Sequence, residues 1–378
     1  MKIEVLKENL KTSLGAAERI VGKNLSLPIL NNVLISADDN FLSLTSTDLE
    51  ISIKLWILVK IIKKGKVVIP AKFLSAFISS LPNEKIIIEA REQNLYVECG
   101  NFKTQIQGYN PEDFPIIPEF NNAEYVEIDS KKFYAGLSQV IDIASLSQSR
   151  PEISGIYFSF SKNSIKVVAT DSFRLGEKNI HLEEPLKNLK EKEYSFILPQ
   201  KSAKEIMNIL EDKEGLVKIY FSPNQALFEF PMKEAKHPQV QITSRLIEGE
   251  YPNYQDIIPT KFKTHIILKR DEFLNQIKTA SLFSGKVNEV KIFANKEKQE
   301  VEIFAASQDV GENKSVLPAK IEGDSMGVSF NYKYLIDGIL NIKSSEIVFD
   351  ISKEEGPCIL KPVGDSSYIY VVMPIKSI

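Results

Sequence analysis

The stretch IPAKFLSAFISSLPNEKIIIEA, residues 69–90, reads as a strand end, a proline, a short lysine-bearing helix, a turn and an apolar strand. The chain writes the same sentence twice more, as LPQKSAKEIMNILEDKEGLVKIYF (198–221) and FNYKYLIDGILNIKSSEIVFDI (330–351). Pro70, Pro199 and Asn331 mark one position in the three copies, 129 and 132 residues apart. A repeat at this spacing sets the fold before any single motif does.

Two further patterns recur in the same order. LSLTSTDLEIS (42–52), IKVVATDSFRL (165–175) and VEIFAASQDVG (301–311) each run a strand into a small polar residue and an acidic turn. Each copy also opens on an amphipathic helix, with stripes Leu10/Leu14/Ala17/Val21, Phe133/Leu137/Ile141/Ala144 and Phe273/Ile277/Ala280 at helical spacing. Two proline-bracketed turns, PEDFPIIP (111–118) and YPNYQDIIP (251–259), close copies one and two; the third copy ends the chain. The chain of 378 residues is therefore three α+β units of ordinary domain size. The expected boundaries are 1–121, 122–254 and 255–378.

Hydrophobic residues at 43% can fill real cores, and charged residues at 26% fit a soluble globular chain. MKIEVLKENL has no apolar leader core, and the longest apolar run, LWILVKII, is too short to span a bilayer. A soluble, intracellular, cytoplasmic protein without a membrane partner is expected. Cys99 and Cys358 lack CxxC partners and read as reduced structural thiols; no metal or cofactor is expected. A net charge of −3 does not suit a protein that coats nucleic acid, although positive charge can gather on one face. The first helix region, 6–23, sets Lys7, Lys11, Arg19 and Lys23 against two acids. The region 268–287 sets Lys269, Arg270, Lys278 and Lys286 against two acids.

An enzyme reading fails on order and context. GDSMG (323–327) fits the nucleophile-elbow pattern, but a strand follows Ser325 and His181, His237 and His265 all precede it. It reads as a turn.

The tripled unit, with LSLPIL (25–30), LTSTDLE (44–50), TDSFRL (170–175), YPNYQDIIP and the terminal VVMPIK (371–376), resembles the bacterial DNA polymerase III beta subunit family end to end. The resemblance implies three tandem clamp-fold domains per chain. It implies a head-to-tail homodimer closed into a six-domain ring, with helices lining a central hole and antiparallel sheets outside. Duplex DNA passes through that hole. The family is non-catalytic and tethers the replicative polymerase for processive synthesis. Implied partners are the polymerase III alpha subunit, an ATP-driven clamp loader, other DNA polymerases, ligase and mismatch-repair proteins. A scaffold of the same fold that binds peptides without encircling DNA would read alike.

The resemblance also implies a pocket for a partner peptide carrying a glutamine and apolar anchors. Carried onto this sequence, its residues are Ile153, Thr170, Ser172, Phe173, Arg174, Leu175, Pro252, Ile257, Asn331, Tyr334, Pro357, Val371, Val372, Met373, Pro374 and Ile375. Phe173 stands where members usually have His, Lys376 where many have Arg, and Asp256 where some have Arg, so the peptide preference is open. Implied DNA contacts are Lys23, Asn24, Gln148 and Arg150, with Lys72 and Lys201 beginning second helices. For the subunit contact, Lys103 and Ile106 in NFKTQIQG (101–108) are expected to meet Leu282, Phe283 and Glu312 through paired edge strands.

Overall fold

The structure is a computed structural model and describes residues 1–22, 27–118, 120, 125–147, 149–186, 193–211 and 213–375. The first repeat runs β1 (Lys2–Leu6), α1 (Lys7–Ile20), β2 (Asn32–Asp38), β3 (Phe41–Thr47), β4 (Ile51–Leu58), β5 (Lys60–Lys63), β6 (Gly65–Pro70), α2 (Ala71–Ser80), β7 (Lys85–Arg91), β8 (Asn94–Cys99) and β9 (Phe102–Gln107). The second runs β10 (Tyr125–Asp129), α3 (Ser130–Ser138), β11 (Gly155–Ser161), β12 (Ser164–Thr170), β13 (Arg174–His181), β14 (Glu193–Pro199), α4 (Gln200–Leu210), β15 (Leu216–Ser222), β16 (Gln225–Pro231) and β17 (Pro238–Arg245). The third runs β18 (Thr264–Lys269), α5 (Arg270–Ser281), β19 (Glu289–Asn295), β20 (Glu300–Ser307), β21 (Gly311–Pro318), β22 (Lys320–Gly323), β23 (Met326–Asn331), α6 (Tyr332–Leu340), β24 (Glu346–Ile351), β25 (Cys358–Pro362) and β26 (Tyr368–Val372).

The helix stripes are where the spacing puts them. Leu10, Leu14, Ala17, Phe273, Ile277 and Ala280 are all essentially buried. The second stripe needs a correction. Phe133 and Leu137 lie on α3, but that helix ends at Ser138, and Ile141 and Ala144 belong to a separate 3-10 turn and its exit. Both are nonetheless buried, because a turn can present core residues at the same spacing as a helix.

The repeated threonine–aspartate motif is a hairpin device. At β3–β4, Asp48 Oδ1 accepts from the backbone N–H of Glu50 (3.0 Å) and Ile51 (2.9 Å), and Thr47 Oγ1 donates to Ile51 O (3.0 Å). At β12–β13, Asp171 Oδ1 accepts from Phe173 N (2.9 Å) and Arg174 N (3.0 Å), and Thr170 Oγ1 donates to Arg174 O (2.7 Å). Leu49 and Ser172 take φ of +77° and +79° in these turns, strain that the side-chain hydrogen bonds offset.

The two proline-bracketed turns are also alike. Each contains a 3-10 turn, Pro111–Asp113 and Tyr254–Ile257. Each buries one aromatic, Phe114 and Tyr254. The aromatic ahead of Ile-Ile-Pro is an anchor, so these segments are packed structure as well as connections.

Among the described residues four antiparallel sheets result: β5-β1-β7-β8-β9, β10-β15-β16-β17-β4-β3-β2-β6, β14-β11-β12-β13-β26-β25-β24-β18-β22, and β21-β20-β19-β23. Two of them cross repeat boundaries. β4 of the first repeat pairs with β17 of the second, setting Ile53 opposite Ile242 and Leu55 opposite Val240. β13 of the second pairs with β26 of the third, setting Leu175 opposite Val371 and Gly176 opposite Tyr370. All eight residues except Leu55 and Gly176 belong to the most deeply buried part of the core, and each large apolar one contributes about 1.5–3 kcal/mol. Tyr370 is admitted by Gly338, where an added Cβ would meet its ring at 2.5 Å.

Contacts gather the chain into two compact units. One is formed mainly by Met1–Tyr134 and Lys201–Leu246, the other mainly by Ala135–Pro185 and Ile247–Ile378. The eight-stranded sheet belongs to the first and the nine-stranded sheet to the second.

Candidate partner pocket and nucleic-acid contacts

Where β13 meets β26, a cavity of about 580 Å³ opens within the second unit. Its lining includes Thr170, Ser172, Phe173, Arg174, Leu175, Ile257, Pro357, Val371 and Met373 from the expected set, and adds Asp256, Pro259, Lys261, Ser352 and Lys353. Its base rests on a core of Val168, Leu175, Tyr254, Ile359 and Val371, with Tyr251 and Ile258 packed against it. Tyr157 and Tyr251 stack with centroids 4.9 Å apart.

Tyr254 Oη donates to Glu177 Oε2 at 2.6 Å, and burial, then that carboxylate, raises its pKa well above the ordinary phenol. Tyr254→Phe is expected to cost about 1–2 kcal/mol in urea unfolding, because Glu177 is left half-buried without its donor. An unchanged midpoint would show that Glu177 finds water instead.

Arg174 organises the pocket wall. Its Nε meets Asp171 Oδ2 at 2.9 Å, one terminal nitrogen pairs with Asp337, and the other donates to Asp142 O at 3.2 Å. Its guanidinium lies 4.8 Å from the Tyr334 ring centroid. Burial works against its charge, but Tyr370 and the two carboxylates more than offset that and hold the pKa above the ordinary value. Phe173, 60% exposed, stacks on Tyr334 at 6.3 Å, giving an aromatic rim beside the cation.

The chain end is pinned here. Met373 N donates to Phe173 O and Ile375 N to Ser329 O, both at 2.8 Å. Of the remaining expected residues, Asn331 caps α6 by accepting from Lys333 N at 3.0 Å. Ile153 and Val372 are buried, Pro374 is half-buried, and Pro252 lines a different cavity of about 490 Å³. Pro259, Lys261, Ser352 and Lys353 lie in loops, and only Pro259 fell inside a stretch the sequence had marked.

The candidate DNA contacts scatter. Lys23, Asn24 and Gln148 lie outside the described residues, as does Lys376. Lys72 is exposed at the start of α2. Lys201 is paired with Asp48. Arg150 meets Glu152 at 3.1 Å and donates to Ser172 Oγ at 3.1 Å, which ties it to the pocket rim. The helix charge count also needs a correction. Lys7 is buried and donates to Leu81 O, Arg19 pairs with Glu205 at 2.9 Å, Lys269 with Glu272 at 2.9 Å and Arg270 with Asp271 at 2.8 Å. Lys11, Lys278 and Lys286 remain exposed.

For the subunit contact, β9 and β21 are edge strands of their sheets. Lys103 on β9 is exposed and pairs with Glu98 at 2.9 Å, whereas Ile106 is buried in its own repeat. Glu312 is exposed on β21, Leu282 is 72% exposed just past α5, and Phe283 is half-buried. Cys99 and Cys358 are both buried free thiols, and burial pushes the latter's pKa up to about 12. Ser325 sits in the β22–β23 turn and accepts from Lys296 N at 3.0 Å.

Comparison with known proteins gives one answer along the whole chain. Residues 1–118, 127–253 and 255–376 match the models for the N-terminal, central and C-terminal domains of the DNA polymerase III beta subunit. The beta sliding clamp of Staphylococcus aureus is 28% identical over 389 residues, covering all of both chains. The crystal structure of the Bacillus subtilis DNA polymerase sliding clamp, 28% identical, superimposes with a TM-score of 0.93 over the full length of both chains. That of the Bartonella birtlesii sliding clamp bound to griselimycin, 26% identical, gives 0.92, again over both full lengths. Three successive domain models of one family, in order and nearly without gaps, mean that the chain belongs to the bacterial DNA polymerase III beta subunit, or sliding clamp, family.

Proposed function

We propose that two chains join head to tail into a ring that encircles duplex DNA and tethers the replicative polymerase to it. The observation that carries the ring is the pair of internal seams. β4 and β13 are equivalent strands of repeats one and two, and each is covered by the last strand of the following repeat, β17 or β26. Among the described residues, the equivalent strand of repeat three, β21, is uncovered, and so is the last strand of repeat one, β9. A second copy satisfies both edges, and an uncovered edge otherwise invites indiscriminate pairing. The four- and five-stranded sheets then join into one of nine strands, matching the eight- and nine-stranded sheets within the chain. Lys103 and Ile106 from one copy meet Leu282, Phe283 and Glu312 of the other at this junction. The repeats divide at 1–121, 122–254 and 255–378.

The paired cations on the helices support a topological hold. Tight binding to duplex DNA comes mostly from phosphate contacts and would resist sliding. With Arg19, Lys269 and Arg270 already engaged, the grip per subunit is weak, and enclosure replaces it. Lys23, Asn24, Lys72, Gln148, Arg150 and Lys201 are the proposed DNA contacts. The protein is non-catalytic and works in the cytoplasm. Among the described residues no helix is long and apolar enough to cross a membrane.

The 580 Å³ cavity is the proposed dock for partner peptides of the polymerase III alpha subunit, the clamp loader, other polymerases, ligase and mismatch-repair proteins. Its aliphatic walls suit apolar anchors, Met373 can adapt to different ones, and Arg174 and Thr170 supply orienting polar groups.

The test is retention. The protein is loaded with a clamp loader on nicked circular DNA, and the circle is then cut once. Expected is retention through a high-salt wash on circles and release after cutting. Equal retention before and after would make any grip electrostatic. A failure to be retained on circles would favour a peptide-binding scaffold that does not encircle DNA.

A further inference from the structure

Three equivalent strand junctions make the geometry of the third derivable from the other two, given the dimer proposed above. On one side, Leu44, Val167 and Ile303 lie opposite the core residues Ile35, Phe158 and Ile292. Two residues on along the same strands, Ser46, Ala169 and Ala305 lie opposite Ile53, Gly176 and Asn313. Those last three therefore hold one position in the three repeats. On the other side, Val97, Phe228 and Leu360 lie opposite Ile88, Ile219 and Phe349. They lie in turn opposite Thr104, Ile242 and Tyr370, which likewise hold one position.

Both internal seams join these two positions directly. Ile53 faces Ile242 in one, and Gly176 faces Tyr370 in the other. The register is the same although none of the residue types is shared between the two seams. Register in a sheet with one buried face is tightly specified, since a slip of one residue turns every side chain to the wrong face.

We infer that the seam between two copies repeats this register, setting Thr104 of one copy opposite Asn313 of the second copy. Gln105 then faces Glu312, as Thr243 faces Ser52 and Val371 faces Leu175 inside the chain. Phe102, 52% exposed on β9, faces Ser315. An independent feature sits at the same place. Asn313 Oδ1 is buried yet has no hydrogen-bond partner among the described residues. An orphaned buried acceptor is costly, and the Thr104 hydroxyl is a donor arriving opposite it. The contact that is apolar in both internal seams is thus polar in the seam between subunits. A single polar pair of this kind admits the correct register and disfavours two-residue slips, which keep the same face but set Phe102 or Ile106, neither with a side-chain donor, opposite Asn313.

Disulfide trapping in the full-length protein tests this. Directly opposed residues of an antiparallel pair have Cα atoms about 4.5–5.5 Å apart, within disulfide reach, while diagonal neighbours two residues away are about 7–8 Å apart and beyond it. The variant Gln105→Cys with Glu312→Cys is expected to shift to a covalent dimer on non-reducing electrophoresis after mild oxidation. Lys103→Cys with Glu312→Cys, which reports a two-residue slip, is expected to remain at the single-chain position. Cys99 and Cys358 are buried and do not compete. Cross-linking of the second variant in place of the first overturns the register while leaving the dimer standing. Sedimentation of the unmodified protein as a monomer overturns the dimer itself, and the inference with it.

Discussion

Arg174→Ala is expected to lower the unfolding free energy of the second unit by about 3 kcal/mol, read as a drop in urea midpoint. The side chain is only 12% exposed and satisfies Asp171, Asp337 and the Asp142 carbonyl together. Removing it leaves Asp171, itself 17% exposed, without its cation. Breaking one side of such a cluster costs about 3–5 kcal/mol in buried settings, and the half-exposed Asp337 places this case at the lower end. The hairpin adds to the effect. Asp171 also holds the β12–β13 turn through two backbone amides, so its disturbance reaches the left-handed Ser172 and the pocket edge. Arg174→Lys should recover little, because an ammonium cannot serve three acceptors in a planar fork while lying against the Tyr334 ring. A midpoint unchanged by alanine would mean that Lys261 or Lys353 swings in to take the carboxylates.

The second large effect is on binding. Met373→Ala combined with Pro374→Ala is expected to weaken a glutamine-and-apolar-anchor peptide by about 100-fold in Kd, equivalent to about 3 kcal/mol. Met373 lines the cavity and is fixed by its backbone hydrogen bond to Phe173. Truncation to alanine removes the adaptable wall and leaves that backbone bond intact. The pair lies past β26, away from the edge strands β9 and β21, so sedimentation should show the dimer unaltered. Fluorescence anisotropy with a labelled peptide measures the loss. A monomeric double variant would show that these residues do more than form the pocket.

Much of this was legible in residue order. The proline–lysine helices, the threonine–aspartate hairpins and the two Ile-Ile-Pro turns are local devices, and each took the form its chemistry dictates. What pattern could not supply was the partner of each group. Lys7 counts as a surface cation until it is seen buried and donating to the Leu81 carbonyl. Ile141 and Ala144 keep helical spacing after the helix has stopped, because burial selects their positions and hydrogen bonding does not. Of the residues implied by the resemblance, those that line the cavity in strands or quoted motifs include Thr170, Ser172, Phe173, Arg174, Leu175, Val371 and Met373. Lys261, Ser352 and Lys353 come from loops with no periodicity to read. The strand order across repeats was likewise hidden, since β4 and β17 are brought together over nearly two hundred residues by topology alone.

The internal seams bear on how the molecule comes apart. Because β17 completes a sheet begun by the first repeat and β26 completes one begun by the second, no middle repeat exists that could melt by itself. Its two sheets are owned by different compact units. Cooperative opening therefore follows the sheets and not the threefold punctuation of the sequence. During synthesis the first repeat leaves the ribosome with β4 uncovered until roughly residue 245 has followed, so the nascent chain carries an unsatisfied edge through the making of its whole second repeat.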